Sequence, residues 1–376
     1  MLMPATRERD FPHLADRVYL NTAAEGIPPI EVIDALHQYA QDKQLGMDGR
    51  VLHEAQRRAA CELTAAALGL TPEEVSICSC SSEAFNLAAM ALRLREGDEV
   101  VINDLDFPAG ATPWLSPTCP ATVRLWRSRE GALRVEDLVQ LLGPRTRLVS
   151  ASLVSFYNGY RIPLSQVIEA VKRHSPALMA LDVTQALGRV PLDLKGVDLV
   201  ISSTHKWILA SHGGGLVGVP RERADAWTVP AGGWFNLDNA FAADRFERLA
   251  PKRGAASFSV GMPNYPAVYA IAAGLRYIQS VGVEAIDASA GPLVCACLEG
   301  LKKLPVELLT PDEPDALAGI VAFRHPASPR LHQHLHQRNI HVMEHAGRMR
   351  VSIHGYNTME DVDRFLAALT EALRDA

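Results

Sequence analysis

Three side chains of complementary chemistry stand at the ends of two apolar runs. The run Val-Asp-Leu-Val-Ile-Ser-Ser-Thr-His-Lys-Trp (197 to 207) stops and delivers Ser203, His205 and Lys206. A second run, Ala177 to Leu181, ends at Asp182, with Gln185 three residues on. A primary amine forms a Schiff base with an aldehyde. A carboxylate pairs with a pyridinium nitrogen and keeps it protonated, so that the ring acts as an electron sink. Lys206, Asp182 and Gln185 are therefore the parts needed to hold pyridoxal phosphate, with Lys206 as the catalytic amine.

A place for the phosphate is legible upstream. Ser76-Ile77-Cys78-Ser79-Cys80-Ser81-Ser82-Glu83-Ala84-Phe85-Asn86 reads as strand, small polar turn, helix. A helix N-terminus presents free N–H groups and the positive end of a dipole, both suited to phosphate. Ser81 and Ser82 either add hydroxyl donors to that cradle or merely cap the helix, as serine often does.

These residues need a scaffold that brings strand ends together. From about residue 60 to 220, short apolar runs alternate with segments of helical period. Strands are expected at 99–103, 122–126, 147–152, 177–182, 198–202 and 214–219. Helices are expected at 83–94, 135–142 and 165–174. The alternation predicts an α/β fold, a mostly parallel sheet covered by helices, with ligands at the carboxyl ends of the strands. Thr71-Pro72-Glu73-Glu74 and Thr358-Met359-Glu360-Asp361 read as helix starts. Beyond about 280 the pattern changes to a smaller α+β C-terminal domain. Its expected strands are 319–324, 340–343 and 350–353, with helices at 330–338 and from Glu360. The expected division is a large domain over 15–275 and a small one over 276–376, joined by the N-terminal segment 1–14.

Bulk properties narrow the classes. The chain has 376 residues, 48% hydrophobic and 21% charged, with a net charge of -6 and no basic run. That composition is globular and offers nothing to nucleic acid or an anionic membrane. The N-terminus lacks the apolar core of a secretion signal, and no stretch approaches a membrane span. Six cysteines, Cys61, Cys78, Cys80, Cys119, Cys295 and Cys297, lack zinc or redox spacing. Reduced thiols and a cytoplasmic address are expected. His332-x-His334-x-His336 has no His-Glu-x-x-His partner and is read as a solvated face, so no metal is expected.

Five segments, in order, resemble the fold-type I pyridoxal-phosphate enzymes of the class V aminotransferase group. That group includes cysteine desulfurases, selenocysteine lyases and isopenicillin-epimerase-like proteins. The segments are Tyr19-Leu20-Asn21-Thr22-Ala23-Ala24, Ser81-Ser82-Glu83-Ala84-Phe85-Asn86, Leu181-Asp182-Val183-Thr184-Gln185-Ala186, Ser203-Thr204-His205-Lys206 and Arg350-Val351-Ser352-Ile353-His354-Gly355-Tyr356-Asn357-Thr358. The resemblance implies a homodimer acting on a small-molecule amino-acid substrate. Lys206 would carry the cofactor and shuttle the Cα proton. Asp182 would pair with the ring nitrogen and Gln185 would bond the ring hydroxyl. Ser81, Ser82, Ser203 and His205 would hold the phosphate. Arg350, with Asn21, would bind the substrate carboxylate as a fork that lysine cannot imitate. Phe107 stands where many relatives place a histidine over the cofactor ring; a core phenylalanine is the competing reading.

The departures bear on the reaction. Desulfurases need a cysteine on a loop shortly before the carboxylate arginine, and residues 340 to 349 contain none. His345 and Arg348, in that interval, either face the active site or lie on a solvated loop, the second being the preferred reading for both. Met262 stands where relatives place a threonine that reaches the neighbouring subunit's phosphate, and it cannot donate a hydrogen bond. Transamination, β-elimination as in cysteine or selenocysteine lyases, racemisation or epimerisation, and a non-catalytic relative of the fold all remain open, with transamination placed first.

Overall fold

The structure, a computed structural model, describes residues 4–374. The chain begins with α1 (Pro4–Asp10) and a short strand, β1 (Val18–Tyr19). Two long helices follow, α2 (Ile30–Gln44) and α3 (Arg50–Leu68), and then β2 (Val75–Cys78) and α4 (Ser81–Leu92). Next come β3 (Glu99–Asn103), the single turn α5 (Pro108–Ala111), β4 (Thr122–Trp126) and α6 (Val135–Val139). The series closes with β5 (Thr146–Ser152), α7 (Leu164–His174), β6 (Leu178–Asp182), β7 (Leu199–Ser203) and β8 (Gly215–Gly218).

Seven strands form one sheet in the order β2-β8-β7-β6-β5-β3-β4. The pairs from β4 through β7 are parallel; only β8 runs against its two neighbours. The expected mostly parallel sheet is what forms. Its central strands are buried along almost their whole length, as a sheet covered on both faces requires. Thr71 and Glu74 do make the reciprocal capping contacts, but around one 3-10 turn (Pro72–Glu74) rather than a full helix. Pro72 permits the turn, and the chain goes straight on into β2, Val75-Ser76-Ile77-Cys78.

The remainder is α8 (Tyr265–Val281), α9 (Val283–Leu301), β9 (Glu307–Leu308), β10 (Ile320–Arg324), α10 (Ser328–Gln337), β11 (Ile340–His341), β12 (Met343–His345), β13 (Arg348–Ser352) and α11 (Met359–Arg374). A second, antiparallel sheet has the order β12-β13-β10-β9. Its core gathers Val18 and Leu20 from the N-terminal segment with α9, α10 and α11. Helix α8 runs unbroken through 275–276; it packs with the large sheet's core as far as Leu275, α9 joins the second sheet's core from Ala290, and Tyr277, Ile278 and Ile286 between them share a third cluster. No single described helix is long and apolar enough to cross a membrane; α8 and α9 reach that length only as a pair bent by 75°.

The N-terminal segment ties the two cores together. Leu20 C=O accepts from Ser352 N–H at 2.8 Å, and Asn357 Nδ2 donates to Tyr19 C=O at 2.9 Å. Thr22 Oγ1 and Tyr356 Oη share a buried hydrogen bond. Gly26 N–H then donates to His205 C=O at 2.8 Å, and a Cβ on Gly26 would lie 1.9 Å from Lys206 C=O. Only glycine lets the chain cross the His205–Lys206 backbone so closely.

Candidate active site

β2 is antiparallel to β8, which is antiparallel to β7, so β2 runs in the same direction as β7. The carboxyl ends of β2, β6 and β7 therefore share one edge, and Cys78, Gly215 and Ser203 are neighbours in register there. This edge brings together Ser81 at the start of α4, Asp182 at the end of β6, and Ser203 to Lys206 at the end of β7. A Cβ on Gly215 would lie 2.4 Å from the Cys80 carbonyl carbon, so the bare glycine is what lets the α4 N-terminus close onto β7. Ser81 Oγ and Ser203 Oγ meet at 2.9 Å. The helix cap is Cys80, whose thiol accepts from Glu83 N–H. Neither serine caps the helix; Ser81 is buried and Ser82 exposed.

Lys206 is half-buried, with Asp182, Arg350 and Glu25 as its charged neighbours. Burial lowers its pKa to about 8; Arg350 pushes the same way, and Asp182 opposes both. Asp182 Oδ1 accepts from Thr184 N–H at 2.7 Å, and burial raises its carboxyl pKa, with Thr184 and Lys206 pulling it back. Thr184 Oγ1 also accepts from Ser203 N–H at 2.9 Å, fixing the two strand ends relative to each other. Gln185 accepts from Trp207 Nε1 at 2.6 Å through Oε1 and donates to Ala23 C=O at 3.1 Å through Nε2, so one amide hydrogen remains for a ligand. His205 stacks on His212 at 4.6 Å, and burial together with Lys206 lowers its pKa to about 4. His212 meets the Glu25 carboxylate at 3.0 Å. Ligand-type atoms of Glu25, His205 and His212 lie within 4.8 Å of one another.

The second sheet supplies a cationic side. Arg350, in β13, is 3% exposed, and burial followed by Arg348 lowers its pKa to about 9. Its NH1 donates to Phe156 C=O at 2.8 Å, while its Nε is buried without a partner. Asn21 pairs with Ser352 beside it and has a buried, unpartnered Oδ1. Amide orientation is interchangeable at this position, so Asn21 can present either its oxygen or its nitrogen there. Phe107 is 44% exposed, which rules out the core reading. Its ring centroid is 5.3 Å from Lys206 Nζ, and it packs edge-on against Phe156 at 5.0 Å.

Two residues depart from the sequence reading. Arg348 is not a solvated loop residue: it lies in β13, 6% exposed, on the same face as Arg350. β12 and β13 are joined by a tight turn at Ala346 and Gly347, both with positive φ, so the interval before Arg350 is a hairpin. Asp106, not singled out from sequence, accepts from Ser152 N–H at 2.8 Å, and burial, with Asp182 nearby, raises its carboxyl pKa to about 7. Trp234 packs edge-on against Phe235 and Phe241 in the segment after β8, and Met262 is half exposed and touches Arg50. His332 and His336 do share one face of α10, 6.1 Å apart.

The sequence profile described as "Aminotransferase class-V" matches residues 18–365, which takes in every residue of this site. The chain belongs to that family. Class V membership makes it a pyridoxal-phosphate-dependent enzyme of transferase or lyase type. It is 24% identical over 402 residues to a probable cysteine desulfurase of Pyrococcus abyssi, covering 100% of this chain and 98% of that one. A cysteine desulfurase of Synechococcus elongatus is 29% identical, over 96% of this chain but 62% of its own length. Among solved structures, the apo cysteine desulfurase of Thermococcus onnurineus NA1 superposes with a TM-score of 0.90 at 22% identity, over 100% of this chain and 99% of that one.

The residues present fit the class V cofactor on three structural grounds. A lysine amine with a depressed pKa faces a buried carboxylate. Paired hydroxyls stand at the start of a twelve-residue helix. Two buried polar atoms, Asn21 Oδ1 and Arg350 Nε, have no partner inside the protein.

Proposed function

We propose that this class V enzyme acts on an amino acid and transfers its amino group to a 2-oxo acid. The observation that carries the reading is Arg350, a buried guanidinium with an unsatisfied Nε and no carboxylate within ion-pair distance among the described residues. An uncompensated buried charge is costly, so the site is built for an anion that arrives with the substrate.

Bound here, pyridoxal phosphate supplies an aldehyde and a protonated ring that weakens the bonds at the substrate's α-carbon. Arg350 and Asn21 grip the α-carboxylate and set which bond is presented. Lys206 takes the Cα proton and returns it; a pKa near 8 suits a base that must both accept and release a proton near neutrality. Asp182 keeps the ring nitrogen positive, and Gln185 offers its remaining N–H to the ring hydroxyl. Ser81, Ser82, Ser203 and the His205 side hold the phosphate. Phe107 gives the ring a flat apolar surface and carries no proton, which disfavours a two-base epimerisation.

β-Elimination is the second reading. It is supported by relatives named cysteine desulfurases, while the cysteine-free hairpin before Arg350 provides no thiolate to receive sulfur. A homodimer belongs to the proposal, supported by exposed apolar side chains at Met47 (74%), Val51 (72%), Phe241 (81%) and Phe246 (88%). The test is a panel of 15N-labelled amino acids supplied with 2-oxo acid acceptors. Label in the acceptor's amino acid supports transfer. Free ammonia with pyruvate supports elimination, and inverted substrate alone contradicts both.

A further inference from the structure

Arg348 and Arg350 form a buried pair of like charges. They lie two residues apart in β13, so their side chains leave the same face of the strand, while Met349 and Val351 enter the core behind it. They are 6% and 3% exposed. No carboxylate is within ion-pair distance of either among the described residues. Both guanidiniums donate to one carbonyl oxygen, that of Phe156: Arg350 NH1 at 2.8 Å and Arg348 NH1 at 3.4 Å. Arg348 NH1 also donates to Tyr157 C=O, and its guanidinium lies over the Tyr157 ring at 4.5 Å and the Phe156 ring at 5.5 Å.

Carbonyl dipoles and aromatic faces offset part of the cost of burying a guanidinium, but neither carries a full negative charge. Two such groups bound to one oxygen repel each other, and Arg348 adds to burial in lowering the affinity of Arg350 for a proton. One monocarboxylate neutralises only half of this. The same cluster reaches the catalytic amine through contacts already described: Phe156 packs on Phe107, and Phe107 lies beside Lys206.

We propose that Arg348 is a second anion-binding residue of the active site, and that the substrate is an amino acid with an acidic group on its side chain. Arg350 takes the α-carboxylate and Arg348 the side-chain acid. The shared carbonyl keeps the two guanidiniums close enough for a four- or five-carbon diacid to bridge them. Guanidinium forks suit planar carboxylates, and a charge-assisted pair in a dry site discriminates strongly against a substrate that lacks the second acid. This rests on the amino-acid reading of the site, but its test is separable from it.

The holoenzyme is titrated calorimetrically with succinate and with butyrate, which need no turnover. The proposal expects succinate to bind roughly 10- to 100-fold tighter, the range for one charged hydrogen-bonded contact. R348Q should collapse that ratio towards one, R348K should restore part of it, and R350Q should weaken both ligands. The kcat/KM ratio for aspartate or glutamate over alanine should follow the same order. Equal affinity of the native enzyme for the two acids overturns the proposal even if the variants fail to fold. Butyrate binding and alanine turnover would then leave the amino-acid reading standing, whereas no binding of either acid would remove both.

Discussion

The Lys206 amine should titrate far below an ordinary lysine in the apoprotein. Burial is the main cause, and it lowers the pKa to about 8; Arg350 adds to it, and Asp182 opposes it. At pH 7 a group with that pKa is roughly 10% neutral, against about 0.04% for an unperturbed lysine, so the nucleophilic form is enriched roughly 200-fold. Only the neutral amine attacks an aldehyde, so the apoprotein should accept its cofactor readily near neutral pH. The assay is competitive acylation of the apoprotein with a small anhydride between pH 6 and 10. It is read by peptide mass spectrometry against a free lysine peptide. The midpoint, which does not depend on access to the buried amine, should fall near 8. D182N removes a stabilising negative charge and should move it lower; R350L removes a repelling positive charge and should move it higher. A midpoint of 10 or above in the native apoprotein, or shifts of the opposite sign, would refute the electrostatic reasoning.

Other outcomes follow from the same contacts. The folded-state pKa of Lys206 is depressed, so its penalty is full below pH 8 and disappears as pH rises to the unfolded value. Apoprotein stability should therefore climb by up to about 3 kcal/mol between those limits. Urea unfolding of Lys206→Met should lack that climb. Ser81→Ala removes the hydroxyl facing Ser203 at 2.9 Å and should weaken cofactor retention by roughly 10-fold, as read by absorbance after dialysis. Gly215→Ala forces a methyl against the Cys80 backbone, where nothing flexible can yield. It should open the cradle more than Ser81→Ala does, so a variant that keeps its cofactor as well as S81A would contradict the close-packing argument. Arg350→Lys keeps the charge but loses the fork, and should cost about 10- to 100-fold in kcat/KM for amino acids.

Much of this site was legible because its parts sit where strands end. Asp182, Ser203 and Lys206 each close an apolar run, and a parallel sheet places such ends on one edge. What was not legible depends on contacts between distant segments. The bonds from Gln185 to Ala23 and Trp207, from Thr22 to Tyr356, and from His212 to Glu25 leave no mark in local composition. The setting of Phe107 likewise depends on its packing against Phe156, a partner distant in sequence. Arg348 is different, because a usable signal was present. Arg348-Met349-Arg350-Val351-Ser352 alternates with period two, and starting the strand at Arg350 rather than Arg348 hid the second arginine in a supposed loop. The capping signal at Thr71 was real but bounded a single turn, since capping chemistry does not set helix length.

The central claim is that one nitrogen, Lys206 Nζ, is the attachment point for the vitamin B6 aldehyde. Reducing the holoenzyme with borohydride and mapping its peptides by mass spectrometry tests this directly. A single phosphopyridoxyl mass increment on the peptide containing Lys206, absent from Lys206→Met, is the predicted result. An increment on another lysine, or none after reconstitution with excess cofactor, would contradict the account.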